Sequence, residues 1–251
     1  MKFIGIIPAR YASTRFPGKP LVDMLGKSMI QRVYEQVYHT VDQIYVATDD
    51  LRIEEAVKAF GGNAIMTSGH HRSGTDRCFE AYHKIGSACD VVINIQGDEP
   101  FIQPEQIELL KSCFSAQETQ IATLAKPFAS DCNFEKDVRN PNAPKVVINQ
   151  NHEALYFSRS VIPFIRGKEC SKWLDFHTFH KHIGLYAYRI EALQSIVNLP
   201  QSPLELAESL EQLRWLDHGY RIKVALTHQE TMGIDTPEDM EQALGFLAKH
   251  N

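Results

Sequence analysis

The chain has 251 residues, 43% hydrophobic and 23% charged, with a net charge of -5. That length can bury a substantial core in one domain or at most two, while the acidic balance excludes a broad nucleic-acid-binding surface. No apolar run approaches the ~20 residues of a membrane span, and the five cysteines, at 78, 89, 113, 132 and 170, form no C-x-x-C pair, so free thiols in a reducing cytoplasm are expected.

The apolar run 3–7 reads as a buried central strand, stopped by Pro8, which has no N–H for the ladder. The loop that follows brings Arg10, Arg15 and Lys19 together with Ser13, Thr14 and Gly18. It reads as solvent-facing. An apolar strand opening into clustered cations and small donors suits a di- or triphosphate at the carboxyl end of an open α/β sheet. Helical spacing of Ile30, Val33, Tyr34, Val37 and Val41 predicts a helix over 28–41, followed by a strand over 43–48. Asp49 or Asp50 can cap the next helix, which Gly61-Gly62 ends, and 64–67 is a short strand. The polar segment 68–77 opens a helix with Phe79 and Tyr82 inward, and 91–96 is a strong central strand running into Gly97-Asp98-Glu99-Pro100. Pro104 starts another helix. This alternation predicts a mainly parallel sheet with right-handed crossovers.

Beyond 120–126, a strand, the pattern changes. Segments 145–149 and 154–159 read as a hairpin turning near Asn151-His152, within a smaller lobe at about 127–181 of a single domain. Residues 182–188 form a strand. Ser202-Pro203-Leu204-Glu205 is a capping box opening one helix, with Leu206, Leu210, Leu213 and Asp217 along one side and Glu205, Glu208 and Gln212 along another. A late strand, 221–227, precedes a helix started by Asp235-Thr236-Pro237-Glu238.

Read from residue type alone, Asp98 is a turn residue and Asp235 a helix cap, although either could serve a hard cation. Ser73 and Thr75 could hydrogen-bond a pyrimidine edge or merely cap a helix. Arg159 suits a bidentate grip on a carboxylate, or a surface ion pair. His182 and Tyr186 share one strand face and could be core. His177, His180 and His182 invite a zinc reading, but neither helix nor strand puts all three on one face.

The stretch IPARYASTRFPGKPL resembles the signature loop of the 3-deoxy-manno-octulosonate (Kdo) cytidylyltransferases. HRSGTDR, QGDEP, ALYFSR, KHIGLYAYR, SPLELAESLEQLR and GIDTPED resemble further family elements, in order along nearly the whole chain. The resemblance implies a doubly wound α/β fold with a mostly parallel mixed sheet, of the nucleotide-diphospho-sugar transferase type, and a homodimer. It implies transfer of CMP from CTP to Kdo, releasing pyrophosphate, in lipopolysaccharide inner-core synthesis. Arg10, Arg15, Lys19 and Asp98 would act in catalysis. Ala9, Arg10, Ser13, Lys19, Ser73, Arg77 and Gln96 would bind nucleotide, and Asp98 and Asp235 would hold Mg²⁺. Arg159, His182, Tyr186, Glu211 and Gln212 would line the sugar site. A cytidylyltransferase for 8-amino-Kdo or sialic acid and a non-catalytic nucleotide sensor stand beside this reading as alternatives.

Overall fold

The computed structural model describes residues 1–12, 16–230 and 232–250, the last without its side chain. Strands and helices run in the order β1 (Phe3–Ala9), α1 (Met29–Val37), β2 (Gln43–Thr48), α2 (Leu51–Ala59), β3 (Ala64–Met66), α3 (Gly74–Ile85), β4 (Val91–Asn94) and α4 (Pro104–Ser112). They continue with β5 (Ile121–Pro127), β6 (Lys145–Ile148), β7 (Ala154–Ser158), β8 (His180–Arg189), α5 (Ile190–Ile196), α6 (Pro203–Glu208), α7 (Gln212–Asp217), β9 (Ile222–Leu226) and α8 (Pro237–His250). Contacts divide the chain into two compact units. The first holds Met1–Glu108, Ala187–Val197 and Thr231–Asn251; the second holds Leu109–Tyr186 and Asn198–Glu230. The hairpin segment 127–181 falls within the second. Among the described residues no helix is long and apolar enough to cross a membrane.

In the first unit the strand order is β3-β2-β1-β4, with β2 and β4 both parallel to β1. The chain winds outward through β2 and β3, then returns to the other side of β1. The crevice beyond the carboxyl ends of β1 and β4 is therefore a topological switch point, where open α/β sheets take ligands. β4 is buried along its whole length, as its unbroken apolar run requires. Met24, Met29, Phe101, Ile234, Met240 and Ala243 form a core cluster that packs the start of α8 onto the first loops.

In the second unit the order is β8-β5-β9, with β9 parallel to β5. β6 and β7 form the expected antiparallel hairpin. Its turn is held by the Asn149 carboxamide oxygen, which accepts from the N–H groups of Asn151 and Glu153 at 2.9 Å each.

Several expectations need correction. Pro8 does not end the first strand: its missing N–H removes one ladder bond, yet β1 continues to Ala9 with Pro8 and Ala9 in register with Ala47 and Thr48 of β2, while β4 ends at Asn94 and not 96. The helix from Met29 ends at Val37, not 41. In α3 the buried residues are Thr75, Arg77, Cys78 and Ala81, while Phe79 and Tyr82 are half-buried. The Ser73 cap sets this phase, putting every third residue on the core side. The single helix expected from Ser202 breaks into α6 and α7, because Ser209 adopts a left-handed conformation at φ 50°. Amphipathicity misleads here: Leu206 is 62% exposed, whereas Glu205 is buried and pairs with Arg214 Nε at 3.4 Å.

Ser209 marks a test of that break. A left-handed non-glycine residue costs about 1–2 kcal/mol, partly offset by the extra unfolded freedom of glycine. Ser209→Gly is expected to stabilise the protein by about 0.5–1 kcal/mol, or about 2 °C in Tm by calorimetry. A lower Tm would contradict the strain assignment.

Candidate active site

Every described nucleotide-side residue expected from the sequence belongs to the first unit. Ser13, Thr14 and Arg15 lie outside the described residues. Ala9 is the last residue of β1, and the Arg10 guanidinium donates to the His71 carbonyl. The loop closes where the Gly18 N–H donates to the Tyr11 carbonyl at 2.9 Å. Gly18 has φ 72°, and a Cβ there would press on the Tyr11 ring at 3.2 Å, so glycine is required twice over.

Gly18 delivers Lys19 inward. The Lys19 ammonium donates to Asp98 Oδ2 at 2.7 Å, the Ile234 carbonyl at 2.8 Å and Asp235 Oδ1 at 3.4 Å. Its side chain is only 13% exposed, which corrects the solvent-facing expectation for this part of the loop. Asp98 is brought close to β1 by Gly97, where a Cβ would lie 3.0 Å from the Pro8 carbonyl. The Ile234 N–H donates to the Asp98 carbonyl at 3.0 Å, which pins the segment carrying Asp235 beside it.

The helix-cap role open to Asp235 is filled by its neighbours. Asp239 Oδ2 accepts from the N–H groups of Asp235 and Thr236, and Thr236 Oγ1 accepts from the Asp239 N–H. This reciprocal cap leaves the Asp235 carboxylate for Lys19. Two carboxylates and a carbonyl thus surround a single positive charge. An oxygen-only donor set of that kind fits a hard divalent ion, which usually takes one or two protein carboxylates and completes its shell from substrate phosphates and water. Among the described residues no group of three or more His, Cys, Asp and Glu converges, so the histidines at 177, 180 and 182 build no zinc centre.

Ser73 caps α3 by accepting from the Asp76 N–H at 3.1 Å. Arg77, fully buried on that helix, donates through Nη1 to Thr67 Oγ1 at 2.7 Å and lies 3.3 Å from Asp49 Oδ1. Its Nε and Nη2, and the buried Asn94 Oδ1 at the end of β4, have no hydrogen-bond partner among the described residues. Unsatisfied buried groups are costly, so these donors and this acceptor are suited to a ligand's polar edge. Gln96 lies half-buried between Asn94 and Asp98.

The sugar-side residues all belong to the second unit. His182 and Tyr186 share a face of β8, with rings 5.3 Å apart, and Tyr186 meets the Trp215 ring of α7 edge-on at 5.1 Å. Burial pushes the His182 pKa down to about 3. Gln212 is buried, and its Nε2 has no partner among the described residues, whereas Glu211 accepts from Arg214 at 2.6 Å. Arg159 is not an open fork. Its Nε donates to the Glu208 carbonyl at 2.6 Å, Nη1 to Pro141 at 2.9 Å and Nη2 to Ser209 at 3.3 Å. The turn at Ser209 presents the Glu208 and Ser209 carbonyls, and the Glu208 carboxylate takes the Ser158 hydroxyl and the Arg159 N–H.

A cytidylyltransferase family model matches residues 4–224. A 3-deoxy-manno-octulosonate cytidylyltransferase of Parabacteroides distasonis is 71% identical over 99% of both chains. One from Escherichia coli is 44% identical over 99% of this chain and 97% of its own. The chain belongs to the 3-deoxy-manno-octulosonate cytidylyltransferase family. A CMP:2-keto-3-deoxy-manno-octonic acid synthetase solved in complex with CTP matches this family member with a TM-score of 0.91, at 43% identity and over 100% of both chains. A Leptospira borgpetersenii cytidylyltransferase, 15% identical at a TM-score of 0.64 and covering 99% and 87% of the two chains, shares the fold alone.

Sequence reasoning about this cytidylyltransferase missed Asp49, Asn94 and Glu80. The first two stand at strand carboxyl ends, the same signal that marks Asp98. Glu80 had no local signal, because its role is tertiary. It accepts from the Ser68 N–H at 2.9 Å and contacts His71 and Lys84, bracing the loop whose carbonyl holds Arg10. Partial burial raises the Glu80 pKa, but the donors from Lys84, Ser68 and His71 outweigh it and bring the carboxyl to about 2.

A depressed folded pKa gives stability that is present above the unfolded value, about 4.3, and is lost as pH falls toward 2. Glu80→Gln should therefore be less stable than wild type at pH 7, with the gap closing on acidification through that window. Denaturant melts at several pH values check it; a gap independent of pH would remove the assignment.

Proposed function

We propose that this chain transfers CMP from CTP to the anomeric hydroxyl of Kdo, forming CMP-Kdo and releasing pyrophosphate for lipopolysaccharide inner-core synthesis. The observation that carries this reading is the meeting of Asp98 and Asp235, far apart in sequence, at one ammonium beyond the carboxyl ends of β1 and β4. Family membership supplies the base and the acceptor class.

In this reading Arg10 and Lys19 bind the triphosphate and hold the α-phosphorus for in-line attack. Positioning and neutralisation of charge supply most of the rate in such transfers. Asp98 and Asp235 would hold Mg²⁺, which supplies charge that polarises the phosphate and favours the ionised hydroxyl. Arg77 and Asn94 offer buried hydrogen-bonding groups to the cytosine edge. We also read the enzyme as cytoplasmic, which the free cysteines support. A homodimer is supported by the exposed Phe164 and Phe176 of the second unit.

The direct test is pyrophosphate release with CTP, ATP or GTP against Kdo, 8-amino-Kdo and sialic acid. Release with CTP and Kdo is expected to dominate; comparable turnover with ATP would sink the base assignment. Asp235→Asn keeps size but removes charge, and the Thr236–Asp239 cap is untouched. Near-complete loss of turnover with an unchanged circular dichroism spectrum is expected, and normal turnover at limiting Mg²⁺ would exclude a metal role. Lys19→Ala should lower kcat/KM at least ~100-fold, or about 2.7 kcal/mol. Because it strips the counter-charge from two carboxylates, it should also lower the Tm of the nucleotide-free protein.

A further inference from the structure

The second unit contains a hydrogen-bond arrangement that fixes a proton. Thr123, fully buried in β5, has its Oγ1 3.1 Å from the Ile183 carbonyl, 2.9 Å from the Leu185 carbonyl and 3.0 Å from His182 Nε2. A threonine hydroxyl has one proton and two lone pairs, and a carbonyl can only accept. If that proton pointed to His182, Oγ1 would face two carbonyl oxygens at hydrogen-bond distance with no hydrogen between them. The proton therefore goes to a carbonyl, and Oγ1 presents a lone pair to the imidazole. Nε2 must carry the hydrogen in that contact. His182 then has its lone pair on Nδ1, where no described residue makes a hydrogen bond. The ring packs edge-on against Phe157 at 4.9 Å and is inclined against Tyr186.

We propose that Thr123 is a positioning residue that locks His182 as the Nε2–H tautomer and so presents Nδ1 as a permanent hydrogen-bond acceptor for a hydroxyl of the acceptor sugar. The proposal rests on the reading that His182 borders the sugar. Burial keeps the ring neutral, which suits an acceptor and not a proton carrier. A lone pair at Nδ1 attracts a hydroxyl and repels a carboxylate. His182 thereby selects the hydroxylated part of the acceptor and turns its acid group elsewhere. A sugar lacking that hydroxyl leaves the acceptor unpaired, which is the costly kind of mismatch.

Two-bond proton–nitrogen correlation on ¹⁵N-histidine-labelled protein reads the tautomer directly, with His182 assigned by loss of its signals in His182→Asn. Wild type should give the Nε2–H pattern. Thr123→Val keeps the shape and removes the hydroxyl; it should lose the single tautomer and raise the KM for Kdo about 10-fold, with the KM for CTP and kcat near normal. Thr123→Ser should restore both readouts. An Nδ1–H pattern in wild type overturns the proposal without any variant. An altered tautomer in Thr123→Val with an unchanged KM for Kdo overturns it too, while leaving the reaction intact. No pyrophosphate release by wild type with Kdo removes the reaction and this proposal together.

Discussion

The site depends on one electrostatic constraint: a mostly buried ammonium faces two carboxylates that the chain brings in from distant segments. Lys19 alone would be a desolvated charge, and Asp98 and Asp235 alone would repel. Together they close three otherwise separate pieces, the loop after β1, the loop after β4 and the lead-in to α8. Backbone bonds reinforce the same closure, since Ile234 donates to Asp98 through its N–H and accepts from Lys19 through its carbonyl. Beneath it the cluster around Met24, Phe101 and Ile234 keeps the C-terminal segment seated. Packing fixes where the carboxylates stand, and charge fixes which way they point.

The same constraint explains what could be read from sequence. The strands were legible because burial on both faces demands apolar runs, as in 3–7 and 91–93, although the structure ends the second strand at Asn94 and not at the expected 96. Lys19 was legible in the cation-rich loop after the first of these runs and Asp98 just after the second, whereas Asp235 read as a helix cap and its metal role came only from the family resemblance. The contact of Lys19 with both carboxylates was not legible, because it depends on strand order, which residue spacing does not encode. The helix ends were less legible for the same kind of reason. A left-handed serine at 209 and a buried Glu205–Arg214 pair override the apolar spacing of Leu206 and Leu210, since tertiary pairing outweighs amphipathic pattern.

The second unit shows the limit of reading cations by residue type. Arg159 carries the geometry of a carboxylate clamp but spends its guanidinium on three carbonyls. Lys145, fully buried, does likewise, donating to the carbonyls of Asn140 and Arg159 at 3.0 and 2.7 Å, and burial lowers its pKa to about 8. Arg159 ties the end of β7 to the turn at Ser209, and Lys145 ties the start of β6 to the backbone at Asn140 and Arg159. Irregular backbone leaves carbonyls without ladder partners, and a long cationic side chain is an efficient way to satisfy several at once.

A division of labour follows across both units. Where a polar residue is placed to meet a ligand, a neighbour has taken over its structural duty. Thr236 and Asp239 cap α8, so the Asp235 carboxylate is not needed there. Ser73 caps α3, which lets Arg77 enter the interior with two nitrogens to spare. Thr123 absorbs one nitrogen of His182 and leaves the other. Each delegation costs the fold a dedicated hydrogen-bonding residue near the site. That cost is explicable if the released group is needed for chemistry, because a buried donor or acceptor kept without a partner destabilises the empty protein by about 1–3 kcal/mol and is stabilising only when a ligand supplies the missing bond.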